Sequence, residues 1–195
     1  MAYKPAYIWN GTSFDQIGNQ AVATLNDYVL LVGAQTVSDK TLTSTTLTSP
    51  VINTATISGG SADSVYLISP SEKITISATA ATGTVDFDCI TQGIVYYTTD
   101  ASANFTLNFR GDGSNTLNSI MSIGESLSVV FLNTNGATAR YPNAFQIDGA
   151  SVTPKWSGGT APSSGNASAI DAYSFSIIKT ANATFTVLAS TGKFA

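Results

Sequence analysis

Asp86, Asp88 and Glu125 are the residues whose types and spacing come nearest to a catalytic or metal-binding set. Side chains two positions apart on a strand point to the same side, so a strand over residues 85–90 places the Asp86 and Asp88 carboxylates next to each other. Such a pair can bind a cation or, with Glu125, form the carboxylate pair of a glycosidase. The sequence offers no third ligand and no glycine-bearing calcium loop nearby, so we interpret both aspartates as part of a solvated strand face.

Other reactive side chains are scarce. The chain has no histidine, which removes the usual base of a serine or cysteine nucleophile and the commonest metal ligand. The single cysteine, Cys89, cannot form an intrachain disulfide or chelate zinc alone, and its position in a predicted strand indicates a buried, inert thiol. We therefore expect no catalytic residue, no cofactor and no metal site.

Residues 110–112 spell the cell-adhesion tripeptide Arg-Gly-Asp, and residues 112–115 (Asp-Gly-Ser-Asn) offer oxygen ligands. The second run lacks the twelve-residue spacing of a calcium loop. Gly-Asp-Gly is also typical of a tight turn, and we interpret it as the turn of a hairpin.

Tyr96, Tyr97 and Trp156 are the candidate ligand-facing residues, because aromatic rings stack on sugar rings when they are exposed. Aromatic residues also dominate the cores of β proteins, and core packing is the alternative interpretation.

The charge content excludes several kinds of partner. The 195 residues include 8 basic and 12 acidic side chains, a net charge of -4, and no cluster of Lys or Arg that could neutralise phosphates. No uninterrupted apolar stretch approaches the ~18 residues of a membrane span, and no apolar signal core follows Met1. We therefore expect no nucleic-acid partner, no membrane insertion and no export signal.

The chain has three zones, and the first covers residues 1–35. Two aromatic arms, containing Trp9 and Phe14, flank Asn10-Gly11, a dipeptide that favours the type I′ turn of a hairpin. A two-stranded hairpin is marginal alone in water. We expect its aromatic residues to pack on a sister chain or a docking partner, with a local cap on the next domain as the alternative.

The second zone, residues 36–61, consists mostly of Ser and Thr with branched apolar residues at every fifth position. Five steps rotate a side chain by roughly 500° on a helix and move it to the opposite face of a strand, so neither element buries the whole series. Three extended copies wound around one axis would give each apolar residue two partners; a disordered linker is the alternative. The series is Val37, Leu42, Leu47, Ile52 and Ile57.

The third zone, residues 62–195, is predicted to be an all-β head, either a β-sandwich or a jelly roll. Alternation is clearest in residues 104–109, where Phe105, Leu107 and Phe109 share one face, and in residues 173–177. The predicted strands are residues 65–68, 74–78, 85–90, 93–97, 105–109, 127–132, 144–147, 173–178 and 185–188.

Part of the second zone resembles a known motif. Residues 38–44, Ser-Asp-Lys-Thr-Leu-Thr-Ser, and residues 47–53, Leu-Thr-Ser-Pro-Val-Ile-Asn, resemble the "NKTLTSPTIN" shaft segment of many tailed-phage fibre proteins. Asp39 replaces the frequent Asn, and residues 44–46 lengthen the motif. Residues 9–14 also resemble the virion-attachment start of such proteins, and residues 158–166 and 171–180 are similar to a terminal segment of virion structural proteins from phages that infect cyanobacteria.

The resemblance implies a homotrimer with an N-terminal attachment hairpin, an extended intertwined β neck and a C-terminal head. Residues 1–35 would then attach to other virion proteins, with Tyr7, Trp9 and Phe14 as docking residues, and residues 36–61 would form the neck. The protein would lie on the exterior of the virion, on the tail or the capsid.

Three functions follow as expectations. The first is a short trimeric tail fibre or tail-associated spike whose head binds a host-surface glycan, which the neck motif favours. The second is a capsid decoration or cement protein that stabilises the particle, which the short chain favours. The third and most distant is a carbohydrate-active enzyme that uses Asp86, Asp88 or Glu125.

Overall fold

The computed structural model describes residues 66, 68 and 70–195, together with the backbone of residues 7–9 and 14–16. The chain divides into two units, residues 1–62 and 63–195. In the first unit, β1 (Tyr7–Trp9) pairs antiparallel with β2 (Phe14–Gln16), and Trp9 lies opposite Phe14.

The second unit, in its described part, consists of strands, one short α-helix and a short 3-10 helix at Ser157–Gly159. No helix among the described residues is long and apolar enough to cross a membrane. In chain order the elements are β3 (Ile74–Ala80), β4 (Gly83–Asp88), β5 (Ile94–Thr99), β6 (Phe105–Arg110), α1 (Leu117–Ile120), β7 (Ser126–Asn135), β8 (Pro142–Ile147), β9 (Ala150–Ser151), β10 (Lys155–Trp156), β11 (Ala169–Ala181) and β12 (Thr184–Phe194).

These strands form two sheets, which confirms the predicted all-β class. The six-stranded sheet has the order β10-β12-β11-β7-β5-β3, and the four-stranded sheet has the order β4-β6-β8-β9. The long strands β11 and β12 pair antiparallel through Ala169–Ala181 and Thr184–Phe194, and β11 also pairs antiparallel with β7.

The first six strands of this unit alternate between the two sheets. Strands β3, β5 and β7 pair in parallel in one sheet, while β4, β6 and β8 pair in parallel in the other. Parallel neighbours need a crossover between them, and here a strand of the opposite sheet provides it. The chain therefore winds between the sheets, unlike a jelly roll, whose neighbouring strands are antiparallel.

Two sequence predictions are wrong in detail. Tyr66 and Ile68 lie outside any strand, although residues 65–68 were expected to form one. The turn at Asp112 is not part of a hairpin: its carboxylate accepts bonds from the backbone N–H groups of Ser114 and Asn115, at 2.7 and 2.8 Å, and the chain continues into α1. In the folded sheet β4 and β8 are the two neighbours of β6. The strand that follows β6 in the chain, β7, therefore pairs in the other sheet.

An aromatic core fills the space between the sheets. The alternation in β6 and β11 is confirmed, since Phe105, Leu107 and Phe109 are buried, as are Tyr173, Phe175 and Ile177. Rings from opposite sheets touch: the centroids of Phe105 and Phe131 are 5.5 Å apart, and those of Phe109 and Phe175 are 4.9 Å apart. Residues 63–195 therefore have a core of their own, as an independent domain requires.

A buried carboxylate fixes the long loop before β11. Asp171 is fully buried, and it accepts hydrogen bonds from Nδ2 of Asn135 at 3.0 Å and from the backbone N–H and Nδ2 of Asn166 at 2.9 and 2.6 Å. A Cβ on the adjacent Gly165 would overlap the carbonyl of Arg140. The loop is thus held against β7 by hydrogen bonds to this carboxylate, and a buried carboxylate requires such partners.

Replacing Phe109 tests the core. Phe109→Ala removes a fully buried ring that contacts Phe87 and Phe175, so the lost contacts and the resulting cavity should lower the free energy of unfolding of residues 63–195 by about 3–5 kcal/mol in urea titrations. Ile123→Ala is the control, because Ile123 is 66% exposed. Equal effects of the two substitutions would contradict this placement of the core.

Candidate functional site

Asp86 and Asp88 lie side by side on the outer face of the four-stranded sheet, as the sequence predicted. Both form ion pairs with Arg110. The Arg110 guanidinium contacts Asp86 Oδ2 at 2.7 Å and donates through Nε to Asp88 Oδ1 at 2.6 Å. Asn108 Nδ2 donates to the other Asp86 oxygen at 2.8 Å. The hydrogen bond to Asp88 raises the pKa of Arg110 above its ordinary value, so one guanidinium that stays charged bridges the two carboxylates.

Glu125 does not join these aspartates. It immediately precedes β7 in the other sheet, where its carboxylate accepts a bond from the backbone N–H of Ser122 at 2.7 Å. Across the described part of the chain, no three acidic, cysteine or histidine side chains come close enough to hold a metal ion together. The geometry therefore assembles a structural ion pair rather than an acid and a base around a substrate.

The Arg-Gly-Asp tripeptide is also occupied by local contacts. Arg110 pairs with the two aspartates on β4, and the Asp112 carboxylate closes its own turn. The backbone N–H of Ser114, followed by the Asn115 side chain, lowers the pKa of Asp112. Both charged side chains of the tripeptide thus stabilise the end of β6.

Cys89 follows β4 and is half-buried. Its Sγ atom lies 3.7 Å from the carbonyl oxygen of Phe87, and burial raises the pKa of the thiol to about 12. Because the thiolate is the reactive form, this environment fits the interpretation of an inert cysteine.

The three candidate aromatic residues do not form one surface. Tyr97 points inward against Phe131, with ring centroids 5.3 Å apart, and Trp156 packs edge-on against Phe145 at 5.7 Å. Tyr96 lies on the opposite side of β5 from Tyr97 and faces outward. Core packing therefore accounts for Tyr97, whereas Trp156 packs on the core but also lines a surface groove, and Tyr96 lies on an outer face.

The remaining sequence-predicted residues lie largely outside the described part of the chain. The structure gives the backbone pairing of the strands that contain Tyr7, Trp9 and Phe14 and nothing of their side chains. The predicted neck positions, Val37, Leu42, Leu47, Ile52 and Ile57, fall outside the described residues.

The outer face of the six-stranded sheet has an apolar half, which we call the apolar block. It contains two rows of three side chains, each row crossing β3, β5 and β7. Ile76 is 68% exposed and Ile74 is 42% exposed, while the other four side chains are partly exposed. The rows are Ile74, Ile94 and Val130, followed by Ile76, Tyr96 and Leu132.

The other half of this face contains a groove of about 520 Å³, which we call the serine groove. Serines of β7, β11 and β12 line it together with apolar residues that include Val130, Trp156 and Leu188. Ser174 lies opposite Ser190, and Ser176 lies opposite Ser128, so four hydroxyls form two adjacent rows. Lys155 also lines the groove. A hydroxyl both donates and accepts, so the groove can exchange hydrogen bonds with a polyhydroxylated ligand.

Sequence reasoning named one aromatic residue in each half of this face, Tyr96 in the apolar block and Trp156 at the serine groove, but predicted neither surface as a whole. The groove depends on the register of three strands that are distant in the chain, although the alternation of serines in β11 marks its outward side. The apolar block had a clearer signal, because residues 94–97 and 129–132 are uninterrupted apolar runs. Such runs are typical of strands covered on both faces.

Comparisons of the chain with protein-family models, with curated proteins and with solved structures found no match.

The raised pKa of Cys89 predicts a loss of stability in alkali. Between pH 9 and pH 12 the native state retains a proton that the unfolded chain releases, because the pKa rises from 9.0 to about 12 on folding. The stabilisation is complete below pH 9, and the free energy of unfolding should then fall by up to about 1.4 kcal/mol per pH unit. Urea titrations of the protein at several pH values measure this slope.

Cys89→Ala should make that slope shallower without abolishing it. Burial and the neighbouring Asp171 also raise the pKa of Tyr173, which gives a second contribution of the same sign above pH 10. Identical slopes for the two proteins would show that the thiol has an ordinary pKa in the folded state.

Proposed function

We propose that the chain is a structural protein of a tailed-phage virion, a short homotrimeric fibre that attaches through its N-terminal segment and projects a β head toward the host surface. The observation that carries the proposal is the neck sequence of residues 36–61, with its fivefold aliphatic spacing and its resemblance to a phage fibre shaft. Such spacing buries apolar side chains only when several chains wind together.

The chemistry of the head supports a binding role. Both members of the acidic pair most suited to hydrolysis are held by Arg110, so oxygens of this pair already bind a side chain of the fold. The serine groove instead offers a row of hydroxyls and the Lys155 ammonium. These groups suit a saccharide of the host surface, and the ammonium favours one that carries negative charge.

The shape of the groove also suits attachment by several copies at once. Hydroxyl groups compete poorly with water, so one shallow groove binds weakly. Three identical heads on one fibre present three grooves to a repetitive surface, and the joint binding exceeds each single affinity. Trimerisation and glycan binding are therefore two parts of one function.

Sedimentation analysis of the full chain tests the trimer. The full-length protein should sediment with three times the mass of one chain at micromolar concentration, because separate chains bury the aliphatic series together. Leu47→Asp should dissociate it, since a carboxylate in a dry interface between chains lacks a partner. Thr48→Asp is the matched control, at a position outside the aliphatic series. A folded monomer would refute the proposal.

Host adsorption tests the head. The soluble trimer should bind host cells and block infection, and Ser174→Trp should abolish both effects by filling the serine groove. Ser163→Trp, at an exposed serine outside the groove, should leave both unchanged.

Imaging of labelled virions distinguishes the two virion roles. Label at the tail is expected, together with loss of adsorption in particles that lack the protein. Label that follows capsid symmetry, with particles that fall apart but still adsorb, would assign the decoration role instead.

A further inference from the structure

We infer that the apolar block, together with the free edge of β3, is the surface through which the head contacts the head of a second copy of this chain. The inference rests on the proposed homotrimer and assigns its head-to-head contact to particular residues.

The first argument is the two-sided apolar character of the strands beneath the block. In β7, Val129 and Phe131 fill the core between the sheets, yet the outward-facing Val130 and Leu132 are also apolar. Residues 94–97 of β5 repeat this pattern. A strand that is covered on one face alternates apolar and polar residues, whereas a strand covered on both does not.

Strand β11 of the same sheet shows the contrast. Its outward positions Ser174 and Ser176 are polar, while the inward Phe175 is buried. Serines thus stand at these outward positions of β11, although Leu188 of β12 is also exposed. Within the described chain the half of the sheet formed by β3, β5 and β7 has a cover on its inner side only, and its outer side has the composition of an interface.

The second argument is the edge of the sheet. In the described part of the chain, β3 pairs with β5 on one side and with no strand on the other. Its residues, Ile74–Ala80, include no charge and no proline, although these are the usual devices that prevent an edge strand from pairing with another molecule. The edge and the face of β3 are therefore both open to a partner.

The third argument concerns charge. Each chain carries a net charge of -4, so copies repel one another unless their contact avoids charged groups. None of the six side chains in the apolar block is charged. A contact between identical chains can form here without opposing like charges, which selects a second copy as the occupant.

The position of β3 in the chain supports the same occupant. The proposed neck leads into β3 through Tyr66 and Ile68, which are 87% and 79% exposed. Chains joined along the neck enter their heads at this strand. The six side chains of the block are fewer than the roughly 20–30 residues per partner of a standard stable interface, so isolated heads should associate weakly, and the neck should strengthen the contact by raising the effective concentration.

Sedimentation equilibrium of residues 63–195, which have their own core, tests the surface directly. This piece should show reversible self-association that saturates at a fixed stoichiometry between ~10 µM and ~1 mM, the range of weak protein contacts. Ile76→Glu and Ile76→Lys should each raise the dissociation constant at least about tenfold, because both place an unpaired charge in a dry contact. Ile123→Glu is the matched control, since Ile123 is 66% exposed and lies outside the block.

Three results would overturn the inference: a piece that stays monomeric throughout, an equal effect of the control, or a mass that grows without limit. A mass that grows without limit would contradict the inference because a closed assembly of copies has a fixed stoichiometry. Circular dichroism should show the same β spectrum for all variants, because the substituted side chains are exposed.

Hydrogen exchange in the full chain separates this inference from the proposed function. If the full chain is a trimer, the β3 amides should exchange more slowly than in the dilute piece, and Ile76→Glu should remove this protection without dissociating the trimer. A trimer whose β3 amides are unaffected would overturn the head contact and leave the fibre proposal standing. A monomeric full chain would refute the fibre proposal itself.

Discussion

The packing of aromatic rings between the two sheets is the interaction on which the rest of the head depends. Between β3 and β8, strands that are neighbours in a sheet are not joined by hairpins. Each parallel pair therefore brings together segments that are distant in sequence, which costs the conformational entropy of closing a long loop. Contacts such as Phe105 with Phe131 and Phe109 with Phe175 connect strands of different sheets. They fix the position of each winding relative to the next, whereas the β8–β9 and β11–β12 pairs have short connections between their strands.

Because the core takes one face of each sheet, the two outer faces define the surface of the head, and they differ in kind. The outer face of the four-stranded sheet concentrates charge in the contacts of Arg110 with Asp86 and Asp88. The outer face of the six-stranded sheet has serines in one half and aliphatic side chains in the other. The outer face of the six-stranded sheet thus presents hydroxyl and apolar groups, with the Lys155 ammonium at the serine groove.

Alternation along single strands was readable from the sequence, and the assembly of strands was not. The inward faces of β6 and β11 follow from a period of two, as Phe105, Leu107 and Phe109 illustrate. The same period in Ile74-Thr75-Ile76 identifies which side chains share a face but not which face is covered, and here the isoleucines lie outside. The residues around Asp112 are typical of a hairpin turn. However, β4 and β8 lie on the two sides of β6, and the next strand in the chain, β7, lies in the other sheet. The serine groove depends on register between β7, β11 and β12, which no local signal encodes.

The order of strands in the six-stranded sheet gives the proposed assembly a direction. The apolar block lies on β3, β5 and β7, the strands nearest the proposed neck in the chain, whereas the serine groove extends to β11 and β12, the last strands. A contact between copies at the block would therefore bring three heads together, with Val130 at the border of block and groove and the β11 and β12 part of each groove away from the contact. Weak grooves become effective only when their spacing is fixed, and a rigid head-to-head contact fixes it better than a neck alone. The same sheet would thus couple assembly to attachment, since its apolar half sets the geometry in which its polar half is used.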